Sequence, residues 1–419
     1  MEPDAKISVK NLYKIFGPQP QRAMVMLAEG HSKEVILGKT GMTVGVQDAS
    51  FEIYPGEIFV IMGLSGSGKS TLVRMLNRLI EPSAGEVIVS GRNVVSMSPN
   101  ELVRFRLQTM SMVFQSFALM PHLSVLDNAA FGLKLAGMEP DQRQQRAMEA
   151  LEQVGLSGWE KSLPDQLSGG MKQRVGLARA LAVDPEILLM DEAFSALDPL
   201  IRTEMQDQLL KLQDQEQRTV VFISHDLDEA LRIGDRIAIM EGGRVVQVGT
   251  PEEILQNPAD DYVRAFFRGV DPTHVISAGD IVRDTHPTII KTKTGSLRSA
   301  HELLSGSERD HGYVLDAKHR FLGVVSSESL REVLEQNSGD RSIERAYLPD
   351  ARPVRVDDSM QAILPEVASN KWPVPVVDEN DVFKGVVSKN RFLKTLHRTE
   401  RQIEEGATED EEHTEDHAA

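Results

Sequence analysis

One segment, residues 58–79, restricts the possible folds of this sequence more than any other. The apolar run 58–62 predicts a buried strand, and residues 71–79 have the periodicity of a helix. Between them stands Gly63-Leu-Ser-Gly-Ser-Gly-Lys69-Ser70-Thr71, a complete match to the phosphate-binding pattern G-x-x-x-x-G-K-[ST]. Its glycines let successive backbone N–H groups face one anion, and the helix N-terminus adds partial positive charge. Strand, loop and helix in this order predict an α/β domain that binds a nucleoside triphosphate.

Individual residues of this loop suit particular contacts. Lys69 is placed to reach the β- and γ-phosphates of ATP, and the Ser70 hydroxyl is placed to ligate Mg²⁺. The alternative is a Gly/Ser-rich surface turn, against which the flanking strand and helix argue. The candidate nucleotide contacts of the loop are Gly63, Ser65, Gly66, Ser67, Gly68, Lys69, Ser70 and Thr71.

A pair of carboxylates follows a second apolar run. Residues 187–190 predict a parallel strand that ends in Asp191-Glu192, where side chains reach the carboxyl edge of the sheet. Asp191 is a candidate Mg²⁺ ligand, acting through water. Glu192 is a candidate general base for the attacking water, a role worth about 10²–10⁴ in rate. A solvated pair of acids at a strand end is the alternative.

Two further polar residues follow apolar segments. His225 comes after the run 219–223, which places it at a strand end beside the γ-phosphate, although a lone histidine is more often structural. Gln115 follows a short apolar segment, and a neutral amide there can bridge metal, water and a mobile loop. We therefore take Glu192, His225 and Gln115 as the candidate catalytic residues, and Ser70, Gln115 and Asp191 as the candidate metal ligands.

The order of these parts resembles the ATP-binding cassette family over roughly residues 6–268. The matching motifs are the phosphate loop at 63–71, the Q-loop residue Gln115, the signature at 167–174, Asp191-Glu192, the D-loop at 195–198 and the switch residue His225. The resemblance implies an α/β P-loop NTPase cassette with a mixed-sheet core and a helical subdomain. It implies ATP and Mg²⁺ as cofactors.

The resemblance also implies that two cassettes dock head to tail, as a homodimer. Ser168, Gly169 and Gly170 of one subunit would then close over the ATP of the other, with Asp198 nearby. Those residues directly precede a predicted helix at 171–181, so they form a second anion site at a positive helix end. Phe16 is the candidate aromatic residue that stacks on adenine, and Tyr13 is the alternative.

Several longer stretches are similar to the ATPase subunit of bacterial osmoregulated glycine betaine/proline importers. These are residues 77–82, 114–122, 190–202 and 222–230, together with an extra segment at about 18–45 that predicts an inserted helix. The resemblance implies an integral-membrane permease as partner, contacted by the helical region at about 100–175, with the loop after Gln115 as the lever. It implies a substrate-binding protein as an indirect partner and a location on the cytoplasmic face of the bacterial cell membrane.

Composition is consistent with this interpretation. The 419 residues carry a formal charge of −17, which argues against nucleic acid as the main ligand, and they contain no cysteine for disulfides or thiolate metal sites. No window approaches the ~18–20 apolar residues of a membrane span, and the N-terminus is too polar for a signal peptide. The alternatives are a cassette ATPase that imports another small substrate, or one that remodels complexes without a permease. The single phosphate loop and single signature argue against the latter.

An internal repeat occupies the C-terminal third. Residues 314–330 align without gaps on 376–392, with an offset of 62, and each copy reads as strand, turn, strand and helix. The pattern resembles tandem cystathionine-β-synthase (CBS) domains, an α+β regulatory module. A duplicated hairpin without a ligand is the alternative. The predicted domains are a cassette at 1–270, CBS copies at 271–337 and 338–399, and a disordered acidic tail at 400–419.

The sequence of the repeated module argues against ordinary AMP or ATP binding through the ribose hydroxyls. Ser329 and Arg391 stand where nucleotide-binding copies usually carry an acidic residue, so we expect a response to ionic strength, an anionic ligand such as a cyclic dinucleotide, or an anionic lipid surface. The tail carries nine acidic residues and one arginine. It is predicted to be a disordered solubilising tail, or a sensor of salt through competition for basic side chains.

Overall fold

The computed structural model describes residues 4–267, 271, 273, 275–283, 286–291, 296–307, 309–335 and 342–396. The chain divides into two compact units, with the boundary between Phe266 and Phe267. The predicted acidic tail at 400–419 and most of the predicted linker at 269–272 lie outside the described residues.

The first unit contains two sheets. Its strands are β1 (Ile7–Phe16), β2 (Thr43–Ile53), β3 (Ile58–Met62), β4 (Ala84–Val89), β5 (Arg92–Asn93), β6 (Met110–Phe114), β7 (Ile187–Asp191), β8 (Thr219–Ser224), β9 (Arg236–Glu241) and β10 (Arg244–Gly249). One sheet has the order β10-β9-β3-β8-β7-β6, parallel except for the β9–β10 pair. The other, β2-β1-β4-β5, is antiparallel.

The six-stranded sheet is buried on both faces at its centre. Every residue of β3, β7 and β8 is buried, which explains why these strands are unbroken apolar runs in the sequence. The antiparallel sheet packs against one face of it, and Phe51 of β2 stacks on Phe59 of β3 with ring centroids 5.4 Å apart. A shared apolar core therefore fixes the positions of the parallel strands, whose carboxyl ends carry the candidate site.

Helices surround this core. They are α1 (Pro20–Ala28), α2 (Lys33–Thr40), α3 (Lys69–Leu76), α4 (Pro99–Gln108), α5 (Val125–Ala129), α6 (Phe131–Leu135), α7 (Pro140–Gln153), α8 (Gly169–Leu181), α9 (Pro199–Glu216), α10 (Leu227–Ile233), α11 (Pro251–Gln256) and α12 (Asp261–Phe266). Short 3₁₀ turns cover Val94–Ser96 and Pro164–Gln166. Among the described residues, no helix is long and apolar enough to cross a membrane.

The structure differs from the sequence expectations in three places. The inserted segment holds two helices, α1 and α2, because Ser32 caps a second helix by accepting a hydrogen bond from the Val35 N–H. The helix after the phosphate loop begins at Lys69 and ends at Leu76, two residues earlier and three residues earlier than expected. The predicted helical region at about 100–175 also includes β6, which belongs to the main sheet.

The second unit contains the two copies of the repeat. Its elements are α13 (Ala278–Ile281), β11 (Thr288–Ile290), α14 (Ser296–Ser305), β12 (His311–Leu315), β13 (Phe321–Ser326), α15 (Ser327–Glu335), the 3₁₀ turn Ile343–Ala346, β14 (Val354–Arg355), α16 (Met360–Ser369), β15 (Val374–Val377) and β16 (Phe383–Val387), with residues 389–396 also helical. Each copy forms a three-stranded sheet in which the first two strands are parallel and the last two antiparallel.

The two copies pair through equivalent turns. The Phe321 N–H donates to the Asp381 carbonyl and the Phe383 N–H donates to the His319 carbonyl, both at 3.0 Å. His319 and Asp381 are themselves 62 residues apart, and both have left-handed backbone, with φ of 60° and 61°. Tyr313 of the first copy stacks on Phe383 of the second. The copies therefore share main-chain hydrogen bonds as well as an apolar core.

Candidate nucleotide site

The phosphate loop joins β3 to α3, and two of its glycines are required by close backbone approach. A Cβ atom at Gly63 (φ 150°) would lie 2.2 Å from the Met240 carbonyl oxygen. A Cβ atom at Gly68 (φ 102°) would lie 2.4 Å from the Gly45 carbonyl oxygen. Both distances are far below contact, so only glycine lets the loop curl above the strand ends.

Lys69 is satisfied inside the loop. Its side chain is buried, and Nζ donates to the carbonyl oxygens of Gly63 at 2.7 Å and Leu64 at 3.0 Å. Burial lowers the pKa of Lys69, whereas the carboxylates of Glu192 and Asp191 act in the opposite direction. The ammonium group therefore lies within the cradle, bound by ligands that a phosphate oxygen could replace.

The cradle also contains a buried hydroxyl with no partner. Ser67 Oγ is buried and makes no hydrogen bond within the described part of the chain. An orphaned buried hydroxyl suits an acceptor that the loop itself does not supply, such as a phosphate oxygen. Ser65 is exposed at the tip of the loop, Gly66 has open space around it, and Thr71 lies partly buried in the first turn of α3.

Asp191 connects the loop to β7. Its carboxylate is only 3% exposed; Oδ1 accepts from Ser70 Oγ at 2.8 Å, and Oδ2 accepts from Arg74 Nη2 at 2.9 Å. A hydroxyl and a carboxylate in contact are the oxygen ligands that Mg²⁺ prefers, so these residues fit the ion. Arg74 was not predicted from the sequence, although its spacing of four residues from Ser70 places both on one face of α3.

Glu192 is the point at which three strand ends meet. Gln115, one residue after β6, donates from Nε2 to Glu192 Oε2 at 3.1 Å and to Ser195 Oγ at 3.3 Å. His225, which follows β8, has Nδ1 at 3.6 Å from the same Glu192 oxygen. Glu192 has left-handed backbone (φ 46°), a conformation that costs a residue other than glycine about 1–3 kcal/mol. In this conformation the Glu192 carboxylate faces both Gln115 and His225.

The D-loop and the switch loop are linked by an arginine that sequence reasoning missed. Asp198 caps α9 by accepting from the Ile201 N–H at 3.1 Å. Arg202, in the next turn, donates to Asp226 Oδ2 at 3.0 Å and to the Leu197 carbonyl at 3.4 Å. Asp226 directly follows His225, so one guanidinium group ties the two loops together. Nothing in the sequence pattern pairs residues 24 positions apart.

The second predicted anion site lies at the N-terminus of α8. Ser168 caps the helix by accepting from the Met171 N–H at 3.3 Å, and Gly169 is open to solvent. Gly170 packs so closely that an added Cβ atom would lie 2.6 Å from Ile201. Among the described residues, no hydrogen bond joins this helix end to the phosphate loop. The structure therefore does not bring Ser168–Gly170 into contact with the loop of the same chain.

Phe16 lies beside the phosphate loop through Gly45. Its ring is 42% exposed at the end of β1, and an added Cβ atom on Gly45 would lie 2.8 Å from it. The Gly45 carbonyl in turn touches Gly68. Tyr13 instead lies near Asp48, and its pKa is raised by burial first and by that carboxylate second. Of the two aromatic candidates, Phe16 is the one that the structure places next to the loop.

Taken together, a phosphate loop, a buried metal-type carboxylate and a glutamate shared by two strand-end residues define a P-loop ATPase of the ATP-binding cassette class. The profile of the ABC transporter family matches residues 46–195. The dimeric structure of MJ0796, a bacterial ABC transporter cassette, superposes with a TM-score of 0.50 and 32% identity, covering 58% of this chain and 98% of that one.

Curated relatives cover nearly the whole chain. The glycine betaine/proline betaine transport system ATP-binding protein ProV of Salmonella typhimurium is 57% identical over 94% of this chain and 98% of its own length. The glycine betaine transport ATP-binding protein OpuAA of Bacillus subtilis is 49% identical over 94% of this chain and 93% of its own length. The chain belongs to the family of ATP-binding proteins of glycine betaine ABC transport systems. The resemblance seen in the sequence is confirmed.

Proposed function

We propose that this chain is the ATP-hydrolysing subunit of an ABC importer for glycine betaine and proline betaine-type compatible solutes. The observation that carries the proposal is 57% identity to a glycine betaine/proline betaine transport protein along almost the full length of both chains. Domain-level similarity alone would identify an ATPase. Similarity that also extends through the second unit favours the same transport system.

The geometry supports a direct route for ATP hydrolysis. Lys69 exchanges the Gly63 and Leu64 carbonyls for phosphate oxygens, while Ser70 and Asp191 would hold Mg²⁺, which neutralises charge on the phosphates. Glu192 accepts a proton from water while the water oxygen forms a bond to the γ-phosphorus. The bond between the γ-phosphorus and the β–γ bridging oxygen breaks, and ADP leaves. Gln115 orients the water and the carboxylate, and His225 contacts the γ-phosphate.

The proposal includes a homodimer. Ser168, Gly169 and Gly170 form the N-terminus of α8, and within the described chain no hydrogen bond connects it to the phosphate loop. Asp198 lies nearby, because it caps α9 through Ile201, the residue against which Gly170 packs. In a head-to-tail pair this end would cover the ATP held by the second copy, with adenine against Phe16. ATP would then hold the two copies together, and hydrolysis would release them.

The remaining partners follow from the transport assignment. An integral-membrane permease would contact the helices between about residues 100 and 175, with the segment after Gln115 transmitting movement, and a substrate-binding protein would deliver the solute to the permease. In this arrangement the subunit would lie on the cytoplasmic face of the bacterial membrane. The second unit would act as a CBS-type regulatory module that responds to ionic strength or to an anionic ligand, and its paired copies support that role.

The test is ATP hydrolysis in vesicles that contain the complete transporter, measured against salt concentration. Glycine betaine should stimulate hydrolysis more than carnitine or choline at equal concentration. Removing residues 273–419 should preserve hydrolysis and abolish its dependence on salt. Stimulation by an unrelated solute alone would assign the chain to another importer, and hydrolysis that no permease changes would remove the transport role.

A further inference from the structure

The segment after Gln115 is held in an unusual backbone conformation. Phe117 and Ala118 are successive residues other than glycine with left-handed backbone, at φ of 60° and 47°. This region of conformational space disfavours side chains with a Cβ atom, and two such residues in succession need external support. Because Gln115 lies two residues before this kink, the support also determines where its amide group points.

Arg179 of α8 supplies that support. Its Nη1 donates to the Ala118 carbonyl at 2.5 Å, and its Nη2 donates to the Phe117 carbonyl at 3.0 Å. The planar guanidinium fork suits two adjacent acceptors, a geometry that lysine cannot reproduce. Within the described part of the chain, Arg179 forms no ion pair. The charged guanidinium group therefore donates its hydrogen bonds to the two carbonyls of the kinked segment. Burial lowers the pKa of Arg179, in agreement with its enclosed position.

The helix that carries Arg179 also carries the second anion site. Arg179 is 11 residues beyond Ser168, or about 16 Å along an α-helix. The turns between them contain the buried residues Val175, Leu177 and Ala178, and α8 packs against α5 and α7. A packed helix transmits a shift along its axis with little internal deformation. Movement at the Ser168 end therefore reaches the Phe117 and Ala118 carbonyls.

We propose that Arg179 is a positioning residue that keeps Gln115 aligned with Glu192 and makes this alignment depend on the position of α8. The path runs from the Ser168 end of α8 through Arg179 and the Phe117–Ala118 kink to Gln115. The inference rests on the proposed function, since the group that occupies the Ser168 end is the ATP of a second copy. Arrival of that ATP would complete the catalytic geometry of the covering chain, which couples the two ATP sites.

The first experiment measures steady-state ATP hydrolysis by the full chain with Arg179→Met, which keeps the length and removes the donors. We expect kcat to fall about tenfold, the effect of losing hydrogen bonds from a charged group, with KM for ATP unchanged because the phosphate loop is untouched. Cooperativity in ATP should disappear. Arg179→Lys should recover part of kcat, because an ammonium group reaches one carbonyl. An unchanged kcat and Hill coefficient in Arg179→Met would overturn the proposal.

The second experiment asks whether Arg179 acts through Gln115. Gln115→Ala and the double variant Gln115→Ala/Arg179→Met should have the same kcat, since the second substitution has nothing left to position. Independent, additive losses would contradict the proposal. Arg218→Met is the control: its guanidinium, which is 15% exposed and also pairs with Asp184, binds the Pro185 carbonyl before β7, at the opposite ends of the strands. If that variant lost kcat and cooperativity equally, Arg179 would have only a structural role.

A separate measurement distinguishes failure of this inference from failure of the proposed function. Glu192→Gln with ATP should elute as a dimer in size-exclusion chromatography. If that dimer does not form, the relay between two copies is excluded together with the sandwich arrangement. If it forms but the Arg179 variant keeps its cooperativity, only the role of Arg179 is overturned.

Discussion

Glu192 shows most clearly how single residues organise the site. Its carboxylate contacts Gln115 and His225 from neighbouring strands, and its left-handed backbone directs it toward both. The ends of three parallel strands thereby hold one carboxylate in place.

Glu192→Gln should retain ATP binding and reduce hydrolysis by about 10²–10⁴-fold, because the amide cannot accept the proton from water. The reduction should appear in kcat, with ATP-dependent dimers accumulating in size-exclusion chromatography. Glu186→Gln is the control, since that glutamate directly precedes β7 and pairs with Lys6 at the opposite ends of the strands. Hydrolysis at the unmodified rate in Glu192→Gln would assign the base to another group.

A second glutamate should affect the pH dependence of stability. Glu229 is buried on α10, where it accepts from Ser224 Oγ at 2.5 Å and from Gln206 Nε2 at 3.1 Å. Burial raises the pKa of Glu229 despite these hydrogen bonds. The folded state therefore holds its proton to a higher pH than the unfolded state, so this group's contribution to stability falls as pH rises between the two pKa values.

Glu229→Gln should remove this part of the pH dependence. The difference in melting temperature between variant and parent, followed from pH 4 to pH 7, should shift in favour of the variant as pH rises. The comparison is made at fixed salt. Other carboxylates contribute equally to both proteins, so the difference isolates the contribution of Glu229. A difference that stays constant across this range would mean that folding does not change the pKa of Glu229.

At the scale of residues, the sequence indicated the candidate site residues but not the arginines that hold them or their loops in place. Gln115, Asp191, Glu192 and His225 follow apolar runs, and parallel strands bring such ends to one edge. Arg74, Arg179 and Arg202 act across helices that pack only in the folded chain, so their partners depend on tertiary distances. No local pattern carries that information.

Among the elements, α8 has two functions at one end. Ser168 caps the helix, and the same N-terminus is the proposed cover for a second copy's ATP. A substitution that preserves the cap but changes the charge would separate these functions. Aspartate caps helices as well as serine does, whereas loss of the cap altogether costs about 0.5–2 kcal/mol.

Ser168→Asp should therefore leave the melting temperature within the range of the parent while preventing ATP-dependent dimerisation, because a carboxylate would repel the phosphates. Binding of ATP to the single chain should be unchanged. Ser168→Asn keeps both the cap and the neutral charge and is the matched control, which should still dimerise. Stable dimers of Ser168→Asp with ATP would mean that this helix end does not face phosphate.

The elements themselves were predicted unequally. β3, β7 and β8 stand close to where the apolar runs place them, because strands buried on both faces leave an unbroken signal. The inserted segment was expected as one helix, and two form because Ser32 restarts the helix after a turn. β6 is short, and only two of its residues are fully buried, so it did not stand out from the helical region.

For the whole molecule, the interlocked copies of the second unit predict the outcome of truncation. A chain ending at residue 341 retains the first copy but removes Asp381 and Phe383, which bond and stack on it. We expect such a chain to aggregate or to bind hydrophobic dyes, because Tyr313 and Phe321 lose their cover. A chain ending at residue 266 should elute as a folded species that binds ATP. If the chain that ends at residue 341 is monomeric and melts cooperatively, the first copy does not depend on the second for its stability, and this prediction is contradicted.

Length and the 62-residue offset were enough to predict a paired second unit. The sequence did not reveal that each turn bonds to its own equivalent, since symmetry of this kind arises only when two copies meet. It also did not reveal that Lys69 donates hydrogen bonds to carbonyls of its own loop.

The nucleotide pocket neutralises itself. Lys69 rests on two carbonyls of its own loop, and Asp191 rests on Ser70 and Arg74. The charged groups of the loop therefore find hydrogen-bond partners within the chain itself. Under the proposed function, ATP would replace these contacts with its own phosphate oxygens, so the contacts that break would offset part of its binding energy. Such an offset would keep nucleotide binding reversible, as repeated cycles of ATP hydrolysis require.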